Sequence, residues 1–202
     1  MRLGVLYTGG KDSSYAMFKA SKENEIKVLI SVISENEDSY MFHTPKMELI
    51  DKQSKALGIP LIKIKSKGVK EKELEDLKKI IKEAVEKYRI DGVVTGAIAS
   101  NYQASRIQKI CNELKIKCLN PLWGMDQEKL LREIVKEGFK FKIVKVAADG
   151  LDESWINRVI DDKAIDELIK LKEKYGINIC GEGGEIETLV IDSPMHKFEI
   201  GI

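Results

Sequence analysis

Two adjacent glycines near the start of the sequence separate an apolar run from a segment rich in hydroxyl groups. They lie within "GVLYTGGKDSSYAMFKASKE", and the residues at the junction are Thr8, Gly9, Gly10, Lys11, Asp12 and Ser13. Glycine lets the backbone approach a ligand closely, and the N–H groups that begin a helix attract an anion. The stretch therefore predicts a strand-to-helix turn that binds a pyrophosphate group, with two hydroxyls and an ammonium beside it.

Two common phosphate-binding patterns do not fit this turn. A Walker A loop requires a glycine where Val5 stands and a serine or threonine where Asp12 stands. The dinucleotide pattern G-x-G-x-x-G fails because Gly9 and Gly10 are adjacent and residue 13 is Ser. Asp12 can cap the helix or, beside a polyphosphate, hold Mg²⁺. The pattern alone leaves open an ordinary strand-to-helix turn with an aspartate cap.

A second polar segment, "TGAIASNYQASR" at residues 95–106, covers the end of a predicted strand and the start of a helix. Open α/β sheets bind ligands at this edge. The three-residue spacing of Ser100, Gln103 and Arg106 allows them to share one helical face. Gly96 could let adenosine approach the strand end. The alternative is an exposed polar helix start.

The most unusual stretch is "CGEGGEIETLV" at residues 180–190, in which glutamates interleave with glycines between apolar runs. Its carboxylates could bind a cationic group or magnesium, or orient a nucleophile, and its glycines allow a ligand close to the backbone. The residues concerned are Glu182, Glu185, Glu187, Gly181, Gly183 and Gly184. Charge runs usually face water, so a solvated acidic turn is the alternative.

Histidines and cysteines are too few and too scattered to predict a metal centre. The chain has two histidines, of which His43, in "YMFHTP", follows a predicted strand end on the expected binding edge. The three cysteines show no C-x-x-C spacing, which argues against a disulfide framework and a zinc site. Cys180 lacks the surroundings of an amidotransferase thiol, so we expect it to be structural.

Alternating strands and helices must position these polar segments. Runs rich in Val, Ile and Leu predict strands at Arg2–Tyr7, Lys27–Ile33, Pro60–Ile64, Gly92–Thr95, Lys117–Leu119 and Lys142–Ala147. Helical periodicity predicts helices at Asp12–Lys22, Pro45–Leu57, Glu71–Tyr88, Ala99–Leu114 and Gln127–Glu137. This order indicates an α/β fold, with a Rossmann-like, mostly parallel sheet covered by helices on both faces.

The alternation changes after Gly150. Asp152–Tyr175 predicts one or two helices with no strand between them, and no Pro- or Ser-rich linker precedes this segment. We therefore predict an α/β domain at residues 1–150 and a smaller elaboration at residues 151–202, packed on the main sheet.

Composition limits the class of protein. With 43% hydrophobic and 33% charged residues over 202 positions, the chain is expected to be globular. No apolar stretch approaches the roughly 20 residues that cross a bilayer, and no signal-peptide pattern is present, which predicts a cytoplasmic protein without membrane contact. A net charge of +1 provides no global field to recruit nucleic acid. The lysine and glutamate richness is typical of hyperthermophile surfaces, although genome composition could produce it too.

The polar segments together resemble a known enzyme family. "TGGKDS" is similar to the SGGxDS pyrophosphate loop (PP-loop) of the N-type ATP pyrophosphatases, with Thr8 in place of serine. These enzymes, which have an adenine nucleotide alpha hydrolase-like fold, split ATP into AMP and pyrophosphate while they adenylylate a substrate oxygen. In combination with "MFHT", "GAIASNYQASR", "NPLWGMDQEKLL" and "YGINICGEGGEIETLV", the loop resembles the diphthine–ammonia ligase family of archaea and eukaryotes, in order and over almost the whole chain.

This resemblance implies ATP-dependent amidation of diphthine, a modified histidine of translation elongation factor 2, with ammonium. The diphthine carboxylate would attack the α-phosphate, and ammonia, handled by one of the glutamates, would then displace AMP. The implied ATP contacts are Thr8, Gly9, Gly10, Lys11, Asp12, Ser13 and Gly96, with Asp12 placing Mg²⁺. The implied catalytic residues are Lys11, Asp12, Glu182, Glu185 and Glu187. The implied substrate contacts are His43, Ser100, Tyr102, Gln103, Arg106, Gly183, Gly184 and Thr188.

Two other functions stay open at this point. A PP-loop tRNA-modifying enzyme, such as a thiolase, would share the ATP chemistry, but the chain lacks paired C-x-x-C motifs and an evident basic extension. A non-catalytic ATP-binding module with a related fold is the second alternative. The sequence is compatible with a homo-oligomer and does not fix the oligomeric state.

Overall fold

The main sheet has five parallel strands in an order that reverses at its centre. A computed structural model describes residues 1–34, 47–68 and 72–200. The strands are β1 (Arg2–Leu6), β2 (Glu25–Ser34), β3 (Leu61–Ser66), β4 (Gly92–Val94) and β5 (Lys117–Leu119), in the spatial order β3-β2-β1-β4-β5. The chain leaves β1 in one direction and returns to place β4 on its other side, which creates a crevice between the carboxyl ends of β1 and β4.

Helices cover both faces of this sheet, as the sequence predicts. They are α1 (Lys11–Ser21), α2 (Met47–Leu57), α3 (Lys72–Tyr88), α4 (Asn101–Glu113), α5 (Gln127–Lys136) and α6 (Asp162–Tyr175). Successive strand residues point to opposite faces, so Leu29 packs in one apolar cluster and Val28 and Ile30 in another. The first cluster takes side chains from α1, α2, α5 and α6, and the second takes them from α3 and α4.

The sixth predicted strand is present, but it lies outside the parallel sheet. Strand β6 (Lys140–Val146) pairs antiparallel with β7 (Ile186–Asp192) in a separate two-stranded sheet. The apolar run at 142–147 predicts a strand but carries no information about its partner. The sequence analysis did not assign β7 because its second residue, Glu187, was interpreted as part of a polar loop.

Residues after 150 pack into the same apolar cluster as the main sheet. Trp155, Ile165 and Val190 share this cluster with Leu3 and Val5 of β1. The segment predicted as one or two helices forms a short 3-10 helix, Glu153–Trp155, followed by α6, which ends at a left-handed Gly176. The division of the chain at residue 150 stays a prediction.

Element boundaries differ from the predicted ones by at most two residues where they can be compared, and those of β5 agree at both ends. Helix α4 begins at Asn101 rather than at residue 99 because the Ser100 hydroxyl caps it by accepting from the Gln103 amide. Pro45 and Glu71, where two helices were predicted to start, lie outside the described residues. Among the helices that the structure describes, none combines the length and apolarity of a membrane span.

Candidate active site

Helix α1 begins at the crevice without a side-chain cap. Its first residue is Lys11, and the capping position is Gly10, which has no side chain to offer. In contrast, the residues that precede α4, α5 and α6 each accept a hydrogen bond from a backbone amide of the helix through their side chains; they are Ser100, Asp126 and Asp161. Apart from the Lys11 amide, which donates to Thr188 Oγ1, the backbone amides and the dipole at the start of α1 are therefore available to an anionic ligand.

The turn before α1 is tightly packed against β7 and α2. Gly9 has a left-handed φ of 80°, and a Cβ atom there would collide with the Gln53 side chain. A Cβ atom on Gly10 would lie 3.2 Å from the Thr188 carbonyl oxygen. Both glycines are thus required by backbone geometry and close packing, in agreement with the sequence analysis.

The two hydroxyls predicted beside the anion are adjacent. Thr8 Oγ1 and Ser13 Oγ lie 3.1 Å apart, and the Thr8 amide donates to Ser13 Oγ at 3.3 Å. Thr8 also lines both of the cavities described below. The hydroxyls of the first and last residues of "TGGKDS" therefore lie side by side at the start of α1.

The Lys11 side chain is buried beneath the turn rather than extended into solvent. Its Nζ donates to Asp12 Oδ2 at 2.8 Å and to the Cys180 carbonyl at 2.5 Å. Burial alone would lower the pKa of Lys11, but Asp12 and Cys180 outweigh burial and hold that pKa above its ordinary value. The Lys11 backbone amide donates to Thr188 Oγ1 at 3.1 Å. Lys11 thus places a fixed positive charge at the turn and fastens the turn to the segment containing Cys180 and Thr188.

Asp12 presents a buried carboxylate oxygen that has no hydrogen-bond partner among the described residues. This oxygen is Oδ1, whereas Oδ2 accepts from Lys11. Burial raises the pKa of the Asp12 carboxyl, and Lys11 offsets this only in part. A buried, unpaired carboxylate oxygen is unfavourable unless a ligand completes it. In the part of the chain that the structure describes, no group of three His, Cys, Asp or Glu residues could hold a metal ion, so a cation at Asp12 would need phosphate or water oxygens as further ligands.

Two cavities meet at Thr8, Asp12 and Gly181. The larger, of about 210 Å³, lies between the carboxyl ends of β1 and β4 and is lined by Leu6, Thr8, Asp12, Ser13, Thr95, Gly96, Ala97, Ile98, Ser100, Gln103, Ile107, Gly181 and Glu182. The smaller, of about 120 Å³, lies between the turn and the C-terminal segment and is lined by Thr8, Gly10, Lys11, Asp12, Cys180, Gly181, Gly184, Ile186, Glu187 and Thr188. The uncapped start of α1 therefore borders two adjoining compartments.

The end of β4 packs so closely against the start of α1 that residue 96 has no room for a side chain. A Cβ atom there would lie 2.7 Å from the Ser13 amide nitrogen and 2.8 Å from the Asp12 carbonyl carbon. Gly96 also lines the larger cavity, where the sequence analysis expected adenosine. A side chain at this position would push the strand end away from the turn.

The candidate substrate residues of α4 divide into two groups. Ser100 and Gln103 line the larger cavity. Arg106 instead stacks its guanidinium 3.5 Å from the centre of the Tyr102 ring and donates to the Tyr102 carbonyl. Arg106 and Tyr102 thus contact each other on α4, and neither lines the larger cavity. Ser100 is the capping residue of α4. His43, the remaining candidate, lies outside the described residues.

The three candidate glutamates have three different environments. Glu182 Oε1 accepts from the backbone amides of Ile98 and Ala99, at 3.2 and 2.7 Å. Glu185 accepts from the Gly183 amide within its own loop at 2.9 Å. Glu187 lines the smaller cavity and lies 3.3 Å from Lys145 Nζ.

Two glycines of the same loop occupy positions where another residue would be strained or crowded. Gly184 has a left-handed φ of 89° and lines the smaller cavity, together with Thr188. A Cβ atom on Gly183 would lie 2.8 Å from a Glu185 carboxylate oxygen.

Burial raises the pKa of the Cys180 thiol to about 12, which fits a structural cysteine rather than a nucleophile.

Sequence reasoning missed Gln53, which is buried on α2. Its Nε2 donates to the carbonyls of Gly9 and Val190, at 2.9 and 2.8 Å, and the Val190 amide donates to the same Gly9 carbonyl at 2.9 Å. Gln53 follows Ile50 by three residues on the apolar face of α2, and a polar residue on such a face is the signal that could have identified it. It fixes the turn to β7.

Comparisons with known proteins agree along the whole chain. Residues 1–118 match the family model for the diphthamide synthase N-terminal domain, and residues 126–202 match that for its C-terminal domain. The diphthine–ammonia ligase of Homo sapiens is 36% identical over 220 residues, which cover 99% of this chain and 82% of that protein. That of Saccharomyces cerevisiae is 32% identical over 231 residues, covering 98% of this chain and 34% of that protein.

A solved structure supports the fold independently. It is a 4-thiouridine synthetase in complex with RNA and with bound ATP, and it matches with a TM-score of 0.50 at 15% identity, covering 95% of this chain and 55% of that chain. At this level of identity the likeness concerns the fold alone, and it confirms the Rossmann-like prediction. Since both family models and relatives that are about one third identical cover nearly every residue, the chain belongs to the diphthamide synthase family, whose curated members are diphthine–ammonia ligases.

Proposed function

We propose that this protein is an ATP-dependent ligase that amidates the diphthine carboxylate of translation elongation factor 2 with ammonium. It releases AMP and pyrophosphate, and the diphthine carboxylate is activated as an acyl-adenylate. The observation that carries the proposal is the match to diphthine–ammonia ligases over 99% of the chain. Because the elongation factor works on ribosomes, we expect the enzyme to act in the cytoplasm.

The uncapped start of α1 is proposed as the pyrophosphate site. The backbone amides of the turn and the hydroxyls of Thr8 and Ser13 would hold the β- and γ-phosphates of ATP. The buried Lys11 ammonium lies beneath this site and adds positive charge without changing position during the reaction, since two bonds fix it. Charge that develops on the leaving pyrophosphate is thereby stabilised.

The larger cavity is proposed as the nucleoside site. It lies at the crevice where the strand order reverses, which is where open α/β sheets bind nucleotides. Gly96, Ile98 and Gln103 are among its lining residues. Adenosine bound here and phosphates bound at α1 would put the α-phosphate near Thr8 and Asp12, where the two cavities meet.

Asp12 is proposed to hold Mg²⁺ together with ATP. Its Oδ1 is buried and unpartnered among the described residues, and carboxylate and phosphate oxygens are the ligands that magnesium prefers. Bound there, the ion would neutralise charge on the phosphates. Lys11 keeps the carboxylate in place through Oδ2, which leaves Oδ1 for the cation.

The smaller cavity is proposed to admit the diphthine carboxylate and ammonium. Among the three candidate glutamates, Glu187 is the one that lines it. A carboxylate there can attract ammonium and accept its proton when ammonia attacks the acyl carbon. Because carboxylates also attract cations, the trimethylammonium group of diphthine is expected to bind on the same side of the turn.

The two rival functions have no observation that favours them. The likeness to a 4-thiouridine synthetase extends to the fold alone, at 15% identity. A non-catalytic ATP-binding module would not need a second polar cavity, whereas the smaller cavity contains Lys11, Asp12 and Glu187. Binding of tRNA that is submicromolar and sensitive to salt in a filter assay would favour the tRNA-modifying alternative.

A reconstituted reaction tests the proposed function. The protein is incubated with ATP, Mg²⁺, isotopically labelled ammonium and elongation factor 2 that carries diphthine. We expect labelled nitrogen in the modified histidine by mass spectrometry, and AMP and pyrophosphate in equal amounts. Elongation factor that already carries the amide is the matched control and should produce no AMP. Formation of ADP, or no incorporated label, would contradict the proposal.

A further inference from the structure

The Glu182 carboxylate connects the C-terminal segment to the wall of the larger cavity. Its Oε1 accepts two backbone hydrogen bonds, from Ile98 at 3.2 Å and Ala99 at 2.7 Å, in the segment that joins β4 to α4. Ile98 and Glu182 both line the larger cavity. A carboxylate that accepts two amide bonds is held firmly and holds its donors firmly in return.

The segment between β4 and α4, residues 95–100, depends on side chains for its shape. The Ala97 amide donates to Thr95 Oγ1 at 3.2 Å, and the next two amides donate to Glu182. On the other side, the Ile98 carbonyl accepts from the Gly124 amide at 2.8 Å. Glu182 is thus the contact by which the C-terminal segment fixes this otherwise irregular stretch.

We infer that Glu182 is a positioning residue for the nucleoside site and is not the carboxylate that handles ammonia. It acts through the backbone of Ile98 and Ala99, which shapes the cavity wall against which the nucleoside would bind. The inference rests on the proposed function because it takes the larger cavity as the nucleoside site. It separates the roles of two glutamates that the sequence alone assigns jointly, since Glu187 lines the other cavity.

Two variants at this position distinguish hydrogen bonding from charge. Glu182→Gln keeps a carbonyl oxygen that can accept from both amides, whereas Glu182→Ala leaves both amides without this partner. Because hydrogen bonds to charged groups are among the stronger ones, we expect Glu182→Ala to weaken ATP binding at least about tenfold. We expect Glu182→Gln to restore the affinity to within about threefold of the unsubstituted protein.

Asp161→Ala is the matched control. Asp161 Oδ1 accepts from the Ala164 amide at 2.8 Å at the start of α6, so its removal also deletes a carboxylate bond to backbone. We expect this variant to lose stability and to bind ATP within about twofold of the unsubstituted protein, because neither cavity is lined by α6. A general loss of stability therefore cannot mimic the effect expected at residue 182.

The experiment is isothermal titration of each purified variant with ATP and Mg²⁺, at a temperature where thermal scans show all of them folded. The inference is overturned if Glu182→Ala binds ATP as tightly as the unsubstituted protein, or if Glu182→Gln binds as weakly as Glu182→Ala. If the unsubstituted protein itself binds no ATP, the proposed function fails, and the inference fails with it. Tight binding by the unsubstituted protein together with unaffected variants overturns the inference alone.

Discussion

At the scale of single residues, Asp12 has one carboxylate oxygen bound to Lys11 and a second that is proposed to bind Mg²⁺. Its buried Oδ1 has no partner among the described residues, and burial raises the pKa of its carboxyl. Asp12→Asn removes the buried charge and retains a carbonyl oxygen for Lys11 Nζ. We therefore expect AMP formation to fall by about 10²- to 10³-fold in a protein that still folds, and the free energy of unfolding to fall as well, because the buried Lys11 ammonium loses its negative partner.

Steady-state kinetics and urea unfolding of this variant check both halves of the prediction. Asp51→Asn is a suitable control, because Asp51 forms an exposed pair with Lys63 at 2.7 Å, away from the cavities. A folded Asp12→Asn protein that keeps full activity would contradict the role proposed for this carboxylate.

His196 gives the stability of the protein a pH dependence. Its side chain is only 1% exposed and lies 3.9 Å from Asp192, and burial lowers its pKa despite that carboxylate. Below about pH 6.5 the unfolded chain binds a proton that the folded chain binds only at lower pH, so stability is lost as the pH falls. Between about pH 7.5 and 5.5 we expect the unfolding free energy to decrease by up to about 1 kcal/mol more than in His196→Gln.

Urea titrations across this pH range measure the difference. Carboxylates remote from residue 196 titrate alike in both proteins, so the comparison reports on the imidazole and its contact with Asp192. Parallel curves for the two proteins would mean that His196 binds its proton equally well in the folded and unfolded states.

At the scale of elements, the contact between β4 and α1 leaves no room for a side chain at residue 96. A Cβ atom there would meet backbone atoms of Asp12 and Ser13 at 2.8 and 2.7 Å. We expect Gly96→Ala to cost about 1–3 kcal/mol of unfolding free energy and to weaken ATP binding, because the strand end and the turn must separate.

Gly176→Ala is the comparison for this variant. Gly176 has a left-handed φ of 71°, but a Cβ atom there meets nothing within 4 Å. Its substitution should cost about 1 kcal/mol through backbone strain alone, with ATP affinity unchanged. Calorimetric titration of both variants decides the matter, and equal ATP affinities would refute the role given to the β4–α1 contact.

The arrangement of the elements could be predicted from the sequence only in part. The five parallel strands and the helices of the main sheet follow from alternating apolar runs and helical periodicity, and "TGGKDS" marks the turn. The partner of β6 could not be predicted, because an apolar run of this length fits either sheet. Gln53 and the inward path of Lys11 were missed because each depends on contacts with residues more than 40 positions away.

At the scale of the whole molecule, the C-terminal segment is part of the core that supports the turn. Trp155 and Ile165 belong to the same apolar cluster as Val5, and the Val190 amide donates to the Gly9 carbonyl. We therefore expect the chain to unfold in a single transition rather than in two.

The two tryptophans provide the measurement. Trp123 follows β5 and is 43% exposed, whereas Trp155 is buried in the C-terminal part. Urea unfolding followed by fluorescence of Trp123→Phe and of Trp155→Phe, each compared with its own circular dichroism, should give coincident curves within each variant. Fluorescence and circular dichroism transitions that separate would show that residues 151–202 unfold on their own.

The central claim is that the uncapped start of α1 holds the phosphates of ATP while the nucleoside occupies the crevice between β1 and β4. A crystal structure of the protein with Mg²⁺ and a non-hydrolysable ATP analogue tests it most directly. We expect the β- and γ-phosphates to accept hydrogen bonds from the backbone amides of Gly9, Gly10, Asp12 and Ser13, with the adenosine in the larger cavity. An analogue bound elsewhere, with this turn in contact with no phosphate, would contradict the account.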